Sequence, residues 1–178
     1  KRYIDADLKA SGYIFDQNAK RNCVQVEYPV VGIGSKTGVG AVDYVIWGAT
    51  GKIIAIVEAK KTSESADKGR SQAKEYADAI EKMQDFRPIM FYTNGFETYL
   101  WDDKNSPPRL VSGIFPLKDI NEMIARRTIR KPVSSVQIDE KITNRWYQLR
   151  AVTKCCENYE KGIRKCLLVM ATGTGKTR

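Results

Sequence analysis

Two carboxylates and a lysine lie close together in residues 41–60, AVDYVIWGATGKIIAIVEAK. Asp43 is in the first half of this segment, and Glu58 and Lys60 form a carboxylate-x-lysine in the second half. Mg²⁺ prefers one or two carboxylates with several waters, and a neighbouring lysine can orient or deprotonate an attacking water. These residue types indicate metal-dependent hydrolysis of a phosphodiester. The alternative is a surface hairpin whose charges are merely solvated.

The chain of 178 residues contains no histidine, and this narrows the possible chemistry. Ser-His-Asp triads, histidine-metal nucleases and most catalytic zinc sites are excluded. The four cysteines form no CxxC pair, so neither a zinc site nor a disulfide framework is indicated. Hydrolytic chemistry therefore has to come from Asp, Glu, Lys and a hard metal.

Two strands joined by a tight turn are predicted to position the carboxylates. With residues 48–51 as the loop, Asp43 lies opposite Ile56, and Glu58 is its diagonal neighbour. Period-two alternation then places both carboxylates and the lysine on one face. A slip of one residue would move Asp43 to the opposite face, so the predicted site depends on the register.

Residues 65–83 are predicted to form a helix directly after the second strand, with a buried stripe through Ala73 and Ile80. Gln72 and Tyr76 are one turn apart and share a face of this helix. Taken alone, they could be a surface glutamine and a tyrosine at the border of the core. Their position after the carboxylate-x-lysine strand favours a place beside the site.

The rest of the pattern predicts a mixed sheet with flanking helices. Residues 53–57 contain no polar side chain, which indicates a central strand covered on both faces. The glycine-rich residues 32–40 are expected to form a loop that touches DNA or substrate. Asp5 and Asp7 are expected to be solvated, with a nearby metal site as the alternative. The other predicted helices are residues 3–10, 117–127 and 143–159, and the other strands are 24–31, 87–93, 97–101, 110–114 and 165–170.

The set of Asp43, Glu58, Lys60, Gln72 and Tyr76 resembles the PD-(D/E)xK nucleases, specifically the branch with a Q-x-x-x-Y motif. The resemblance implies that Asp43 and Glu58 hold the metal, that the carbonyl of Ala59 adds a ligand and that Lys60 assists the nucleophile. It also implies that Gln72 and Tyr76 position DNA or support the site. The chain departs from the name-giving motif at Val42, where that motif has Pro.

The final residues, ATGTGKTR, follow an apolar segment and resemble the first motif of superfamily 2 helicases. In such a loop, backbone N–H groups wrap the phosphates of ATP, the lysine contacts them and the threonine reaches Mg²⁺. Gln148 lies about one helix upstream, where that superfamily keeps a glutamine that reads adenine; an ordinary helix surface is the alternative. The residues expected to bind ATP are Gln148, Gly173, Gly175, Lys176 and Thr177.

A Q-x-x-x-Y nuclease followed by a superfamily 2 motor resembles the R subunit of type I restriction-modification enzymes, as does the opening IDADLKASGY. The implied fold is a restriction-endonuclease-like α/β sheet flanked by helices at residues 1–125, a basic linker at 126–141 and the first elements of a RecA-like motor at 142–178. The implied activity is Mg²⁺-dependent endonucleolytic cleavage of double-stranded DNA, that of a type I site-specific deoxyribonuclease driven by ATP. The implied partners are DNA and the modification and specificity subunits, in the cytoplasm of a prokaryote and without a membrane. This piece alone, which shows no Walker B carboxylates, is not expected to hydrolyse ATP.

The basic charge is unevenly distributed. Residues 1–108 contain 15 Lys+Arg and 15 Asp+Glu, whereas residues 109–178 contain 15 and 6 and so hold the whole net charge of +9. Residues 1–108, which carry no net charge, are expected to bind the phosphate backbone of DNA weakly, so that other parts of the complex bring DNA to them. Two alternatives stay open: a catalytically silent docking module with a nuclease fold, and a helicase or ATPase fragment.

Overall fold

The computed structural model describes residues 2–34, 38–129, 131–163 and 165–175. The chain divides into two compact units, Lys1–Thr128 and Ile129–Arg178. No helix among the described residues is long and apolar enough to cross a membrane. The domain boundaries at residues 125 and 141 stay predictions.

Within the described residues, the first unit is built on a six-stranded mixed sheet whose strands lie in chain order. The parallel neighbours are the third and fourth strands, and the other neighbours are antiparallel. The predicted α/β sheet flanked by helices is confirmed. The strands are β1 (Val24–Val31), β2 (Val39–Trp47), β3 (Ile53–Ala59), β4 (Ile89–Thr93), β5 (Thr98–Trp101) and β6 (Arg109–Val111).

Helices cover both faces of this sheet. A parallel pair of strands needs a crossover, and α2 (Arg70–Gln84) supplies it between β3 and β4, after a short 3₁₀ turn at Ala66–Gly69. Its residues Ala73, Ala77 and Ile80 are buried on one face of the sheet, as the sequence predicted. The helices α1 (Arg2–Ala10) and α3 (Leu117–Ile129) bury Ile4, Leu8 and Ile120 on the other face.

The strand β3 is the centre of the first unit. Every residue from Ile53 to Glu58 is buried, because β2 and β4 flank the strand and helices cover its two faces. The prediction of a central strand without polar side chains at residues 53–57 is confirmed. The same burial encloses Glu58, whose carboxylate is placed at the carboxyl end of the strand.

The predicted register of β2 against β3 is wrong by two residues. Val45 pairs with Ile56 and Tyr44 with Val57, whereas the sequence placed Asp43 opposite Ile56. Trp47 pairs with Ile53 instead of Lys52, which accounts for one residue, and an irregularity between Ile46 and Trp47 adds the second. Continuing the observed register by one residue sets Asp43 opposite Glu58. Because the shift is an even number of residues, it preserves the shared face that the chemistry requires.

The carboxylates of α1 are engaged within the protein, so the expectation that they are merely solvated is wrong. Asp5 Oδ1 accepts a hydrogen bond of 2.8 Å from the hydroxyl of Tyr44, and Asp7 Oδ2 accepts one of 2.9 Å from the backbone N–H of Ile114. Burial, followed by the hydrogen bond to Asp5, raises the pKa of Tyr44. These contacts fix α1 to β2 and to the segment after β6.

Two charged clusters that the sequence did not reveal attach α3 and α2 to the segments beside β4 and β5. Arg127 Nη2 lies 2.8 Å from Asp102 Oδ1, and its Nη1 donates to the carbonyl oxygen of Arg87 at 2.6 Å. Arg87 is itself buried and forms ion pairs with Asp78 and Asp103 as well as with Glu81. The helix α3 runs to Ile129, four residues into the stretch predicted as a linker.

The second unit contains α4 (Trp146–Glu160), close to the predicted helix of residues 143–159. The predicted strand at residues 165–170 is wrong, because those residues form no strand. A strand is stabilised by hydrogen bonds to a neighbouring strand, and no described residue of the second unit is in one. The apolar side chains of Leu167 and Val169 are exposed as a result.

Candidate active site

The carboxylate of Glu58 and the ammonium of Lys60 form an ion pair at the end of β3. Lys60 Nζ lies 2.9 Å from Glu58 Oε1. Glu58 is 2% exposed, whereas the side chain of Lys60 is 19% exposed. The lysine therefore reaches from the surface toward a carboxylate that the core encloses. This geometry confirms that the two side chains share a face, as the alternation of the strand predicted.

A chain of hydrogen bonds continues from Lys60 to α2. Lys60 Nζ donates to Gln72 Oε1 at 2.5 Å, and Gln72 Nε2 donates to the hydroxyl oxygen of Tyr76 at 3.0 Å. The second bond joins residues one helical turn apart, as predicted. Tyr76 is buried in the core cluster, so its ring provides a fixed support for the glutamine. The structure thus brings four of the sequence-predicted residues, Glu58, Lys60, Gln72 and Tyr76, into one connected group.

Asp43 lies on β2, next to this group. Its Oδ2 accepts a hydrogen bond of 2.9 Å from the backbone N–H of Ala59, the residue between Glu58 and Lys60. Asp43 is half-buried. On its other side β1 is irregular, because Glu27 adopts φ 52° at the position that continues the register opposite Asp43. The hydrogen bond across to β3 holds the two carboxylate-bearing residues on adjacent strands.

Gly69 is a further residue of the site, and sequence reasoning missed it. A Cβ at this position would lie 3.3 Å from Tyr92 Cβ, 3.4 Å from Glu58 Cγ and 3.5 Å from Lys60 Cγ. The absence of a side chain lets the chain enter α2 directly against the ion pair. A glycine just before a predicted helix is a signal for such a close approach.

The loop between β1 and β2 contacts the other end of the same group. The backbone N–H of Gly34 donates to Glu75 Oε1. A Cβ on Gly40, the second residue of β2, would lie 3.0 Å from Tyr76 Cε1, so the start of β2 passes closely over the tyrosine ring. Residues 35–37 lie outside the described residues. The expectation that this loop touches DNA or substrate stays a prediction.

The donor set fits a magnesium ion of the kind found in phosphodiester-cleaving sites. Mg²⁺ commonly uses one or two carboxylates and keeps several waters. Asp43 and Glu58 offer two carboxylates on paired strands, and Ala59, which follows Glu58, offers a carbonyl. Among the described residues, no group of three or more His, Cys, Asp or Glu is arranged for a metal. A site at Asp43 and Glu58 would therefore depend on two carboxylates, supplemented by the carbonyl and water.

The second unit brings Gln148 against the glycine loop. Gln148 Nε2 donates to the carbonyl oxygen of Thr174 at 3.0 Å and approaches that of Gly175 at 3.4 Å. Gly173 and Gly175 adopt φ 80° and 75°, the left-handed conformation that favours glycine. Lys176 and Thr177 lie outside the described residues. A cavity of about 460 Å³ beside the loop is lined by Trp146, Tyr147 and Met170 among others.

Family models match both units of the chain. The model described as "Type I restriction enzyme R protein N terminus" matches residues 2–109. The model described as "Type III restriction enzyme, res subunit" matches residues 141–178. The first match covers more than half of the chain and contains Asp43, Glu58, Lys60, Gln72 and Tyr76.

One individual relative agrees with the first match, and one solved structure has a similar fold. The chain is 29% identical over 159 residues to the type I restriction enzyme EcoAI endonuclease subunit of Escherichia coli, covering 82% of this chain and 19% of that protein. It also resembles a solved fragment assigned to the HsdR subunit of a type I restriction enzyme from Vibrio vulnificus. That similarity has a TM-score of 0.53 at 23% identity and covers 99% of this chain and 34% of the other. The chain thus spans about a fifth of the EcoAI subunit.

Proposed function

Because this chain belongs to the type I restriction enzyme R protein family, we propose that its first unit cuts double-stranded DNA with the help of Mg²⁺. The group of Glu58, Lys60, Gln72 and Tyr76 supports this proposal. It connects a buried carboxylate, a partly exposed lysine and a polar support on the helix that follows. A hairpin with merely solvated charges would not have such a group.

Each residue of the group has a distinct role in the proposed reaction. Lys60 holds its ammonium between Glu58 and Gln72, where it can orient the attacking water and stabilise charge that develops on the phosphate. Gln72 fixes the position of that ammonium, and Tyr76 fixes the amide of Gln72. The support is therefore in place before DNA arrives, which lowers the reorganisation needed during the reaction.

Asp43 and Glu58 are the residues that would hold Mg²⁺, with the carbonyl of Ala59 as a further ligand. A bound Mg²⁺ would supply charge neutralisation at the scissile phosphate and a lowered pKa for a bound water. Asp43 Oδ2 is engaged with the N–H of Ala59, which orients the carboxylate toward the end of β3. The burial of Glu58 keeps its carboxylate from rotating into solvent.

We propose that the second unit is the first part of an ATP-binding motor domain. The support is the match of residues 141–178 to a restriction enzyme res subunit, together with the contact between Gln148 and the glycine loop. Gly173 and Gly175 would present backbone N–H groups to the phosphates, and Lys176 and Thr177 would contact the phosphates and Mg²⁺. Gln148 and the aromatic cavity beside the loop would receive the adenine.

Double-stranded DNA and the modification and specificity subunits of a type I restriction complex are the proposed partners. The nuclease part of the chain has no net charge, whereas residues 109–178 hold a charge of +9. Neutral surfaces release few counterions from DNA and bind it weakly. We therefore expect the motor and the companion subunits to bring DNA to the cutting site.

Cleavage and ATPase activity of the full-length subunit in its complex test the proposal. Glu58→Ala should abolish Mg²⁺-dependent cleavage and leave ATPase activity intact. The matched control is Glu122→Ala, since Glu122 is a half-exposed carboxylate on α3. Unchanged cleavage by Glu58→Ala would refute the role of this site. A wild-type complex that assembles and hydrolyses ATP without cutting would instead identify a catalytically silent docking module.

A further inference from the structure

Two aromatic side chains are exposed together at one edge of the first unit. Tyr3 is 64% exposed and Phe96 is 72% exposed, and their ring centroids lie 5.8 Å apart at an angle of 38°. Aromatic rings bring a large apolar area that normally favours burial. Two exposed rings in contact with each other form an apolar surface that a ligand could cover.

The turn that presents Phe96 is firmly built. Asn94 Oδ1 accepts hydrogen bonds from the backbone N–H groups of Phe96 and Glu97, at 3.0 and 2.8 Å. Its Nδ2 donates to the carbonyl oxygen of Glu64 at 2.9 Å, which ties the turn to the segment after β3. Phe96 is therefore held at the end of the β4–β5 hairpin by defined contacts.

Gly95 allows α1 to approach this turn. It adopts φ 92°, and a Cβ there would lie 3.6 Å from Tyr3 Cβ and 3.7 Å from Thr62 Cγ2. Three separate parts of the chain, the start of α1, the segment after β3 and the β4–β5 turn, therefore meet at one point. Their meeting encloses a cavity.

This cavity has a volume of about 380 Å³ and adjoins the candidate active site. Lys60 belongs to both, and Lys61 is three residues beyond Glu58, within about 10 Å along an extended chain. The volume is within the range of about 300–1,000 Å³ that is typical of small-ligand sites. The lining residues are Tyr3, Ile4, Lys60, Lys61, Thr62, Ser63, Asn94 and Gly95.

The polar groups of the cavity suit a nucleotide. Lys61 is exposed and forms no ion pair with a described residue. The hydroxyls of Thr62 and Ser63 are exposed and make no hydrogen bond within the described part of the chain. They can donate to a phosphate or a sugar, while the ammonium supplies charge complementarity. Exposed aromatic rings beside a basic residue are the arrangement that single-stranded nucleic acid uses, since each unstacked base offers a π-face.

We propose that this cavity holds one unpaired nucleotide of the DNA strand beside the phosphate at Asp43 and Glu58. Its base would stack on Tyr3, which lines the cavity and packs against Phe96, and Lys61 would contact a neighbouring phosphate. In duplex DNA the bases stack on each other, so a base can use these rings only where the strand has opened. The proposal rests on the proposed nuclease function for the position of the cut, and it predicts preferred cutting near unpaired nucleotides.

Binding of a DNA duplex with a short unpaired loop that contains 2-aminopurine tests the proposal, with Ca²⁺ in place of Mg²⁺ to prevent cutting. On the wild-type full-length subunit in its complex, stacking should quench the fluorescence of the loop. The double variant Tyr3→Ala/Phe96→Ala should lose the quenching and bind the looped DNA about tenfold more weakly, as expected for loss of base stacking. Both side chains are exposed, so the substitutions should leave the fold intact.

Three further variants serve as controls, and one of them separates this proposal from the nuclease function. Met83→Ala removes an exposed apolar side chain of α2 that does not line the cavity, and it should bind and quench like the wild type. Glu58→Ala should lose cleavage and keep the quenching. Restoring the ring that lines the cavity, as Tyr3→Trp with Phe96→Ala, should restore quenching.

Three outcomes would overturn the proposal. The first is a double variant that binds and quenches like the wild type. The second is a double variant whose affinity falls equally for looped DNA and for fully paired DNA, since the aromatic rings would then not distinguish unpaired bases. The third is a double variant with unchanged DNA binding that fails to assemble with the modification and specificity subunits, which would make the surface a protein interface.

Discussion

Replacing Lys60 by methionine should destabilise the first unit, because it removes a cation that pairs with the buried carboxylate of Glu58. Glu58 is 2% exposed and lies 2.9 Å from Lys60 Nζ. Breaking a fully buried pair costs about 3–5 kcal/mol, whereas an exposed pair contributes about 0–1 kcal/mol. The side chain of Lys60 is 19% exposed, so water can partly replace it. We therefore expect a loss of about 2 kcal/mol in the free energy of unfolding for Lys60→Met.

Urea denaturation in the presence of EDTA measures this loss without a bound metal. Tryptophan fluorescence can follow the transition, because Trp47 and Trp101 lie in the first unit. The matched control is Lys68→Met, whose partner Glu64 is 3.4 Å away and whose side chain is largely exposed. That control should change the free energy of unfolding by less than about 0.5 kcal/mol.

A double-mutant cycle tests whether the loss of stability in Lys60→Met comes from the buried charge of Glu58. Glu58→Gln removes the charge that Lys60 neutralises, so Lys60→Met should cost less in that background than in the wild type. We expect a coupling of about 1–2 kcal/mol between the two positions. Additive effects of the two substitutions would refute the reasoning, since the ion pair would then contribute nothing to the folded state.

Three further predictions follow from the site and its surroundings. Ca²⁺ should raise the midpoint of urea unfolding of the wild type, and it should raise the midpoint of Asp43→Asn by less. The reason is that a neutral amide is a weaker metal ligand than a carboxylate. An equal rise in both proteins would exclude Asp43 as a ligand. Gly69→Ala should reduce cleavage, since the added methyl would lie 3.3 Å from Tyr92 Cβ and 3.4 Å from Glu58 Cγ. Stability should change by less than about 1 kcal/mol, because the φ of −77° at this position is open to alanine; full cleavage activity would contradict this. Burial and then the charge of Asp67 raise the pKa of Tyr92 to about 12, against about 10 in an unfolded chain. Between these pH values the unfolded chain releases a proton that the folded chain keeps, so stability should fall as pH rises from about 10 to about 12. Tyr92→Phe should flatten that fall in urea titrations at several pH values, and an unchanged slope would show that another group causes it.

Local patterns were sufficient to predict most elements of the first unit. The apolar run of β3, the spacing of Ala73, Ala77 and Ile80, and the Asn94-Gly95 turn each depend on periodicities or turn preferences that neighbouring residues express by themselves. The helical spacing also joined Gln72 to Tyr76 correctly. The apolar segment at residues 165–170 shows the limit of such patterns, because a strand also needs a partner that the segment itself cannot supply.

The sequence by itself determined which residues can do chemistry and on which face of their own strand or helix they lie. The tertiary structure decided how those faces meet: the two-residue shift of β2 on β3, the hydrogen bond from Ala59 to Asp43, and the approach of Gly69 to Glu58. It also decided that Tyr3 and Phe96, far apart in the chain, share one exposed surface. The physical reason is the distance along the chain over which each feature arises. Alternation and helical period arise within a few residues, whereas register, burial and cavities depend on contacts between distant segments that no local pattern encodes.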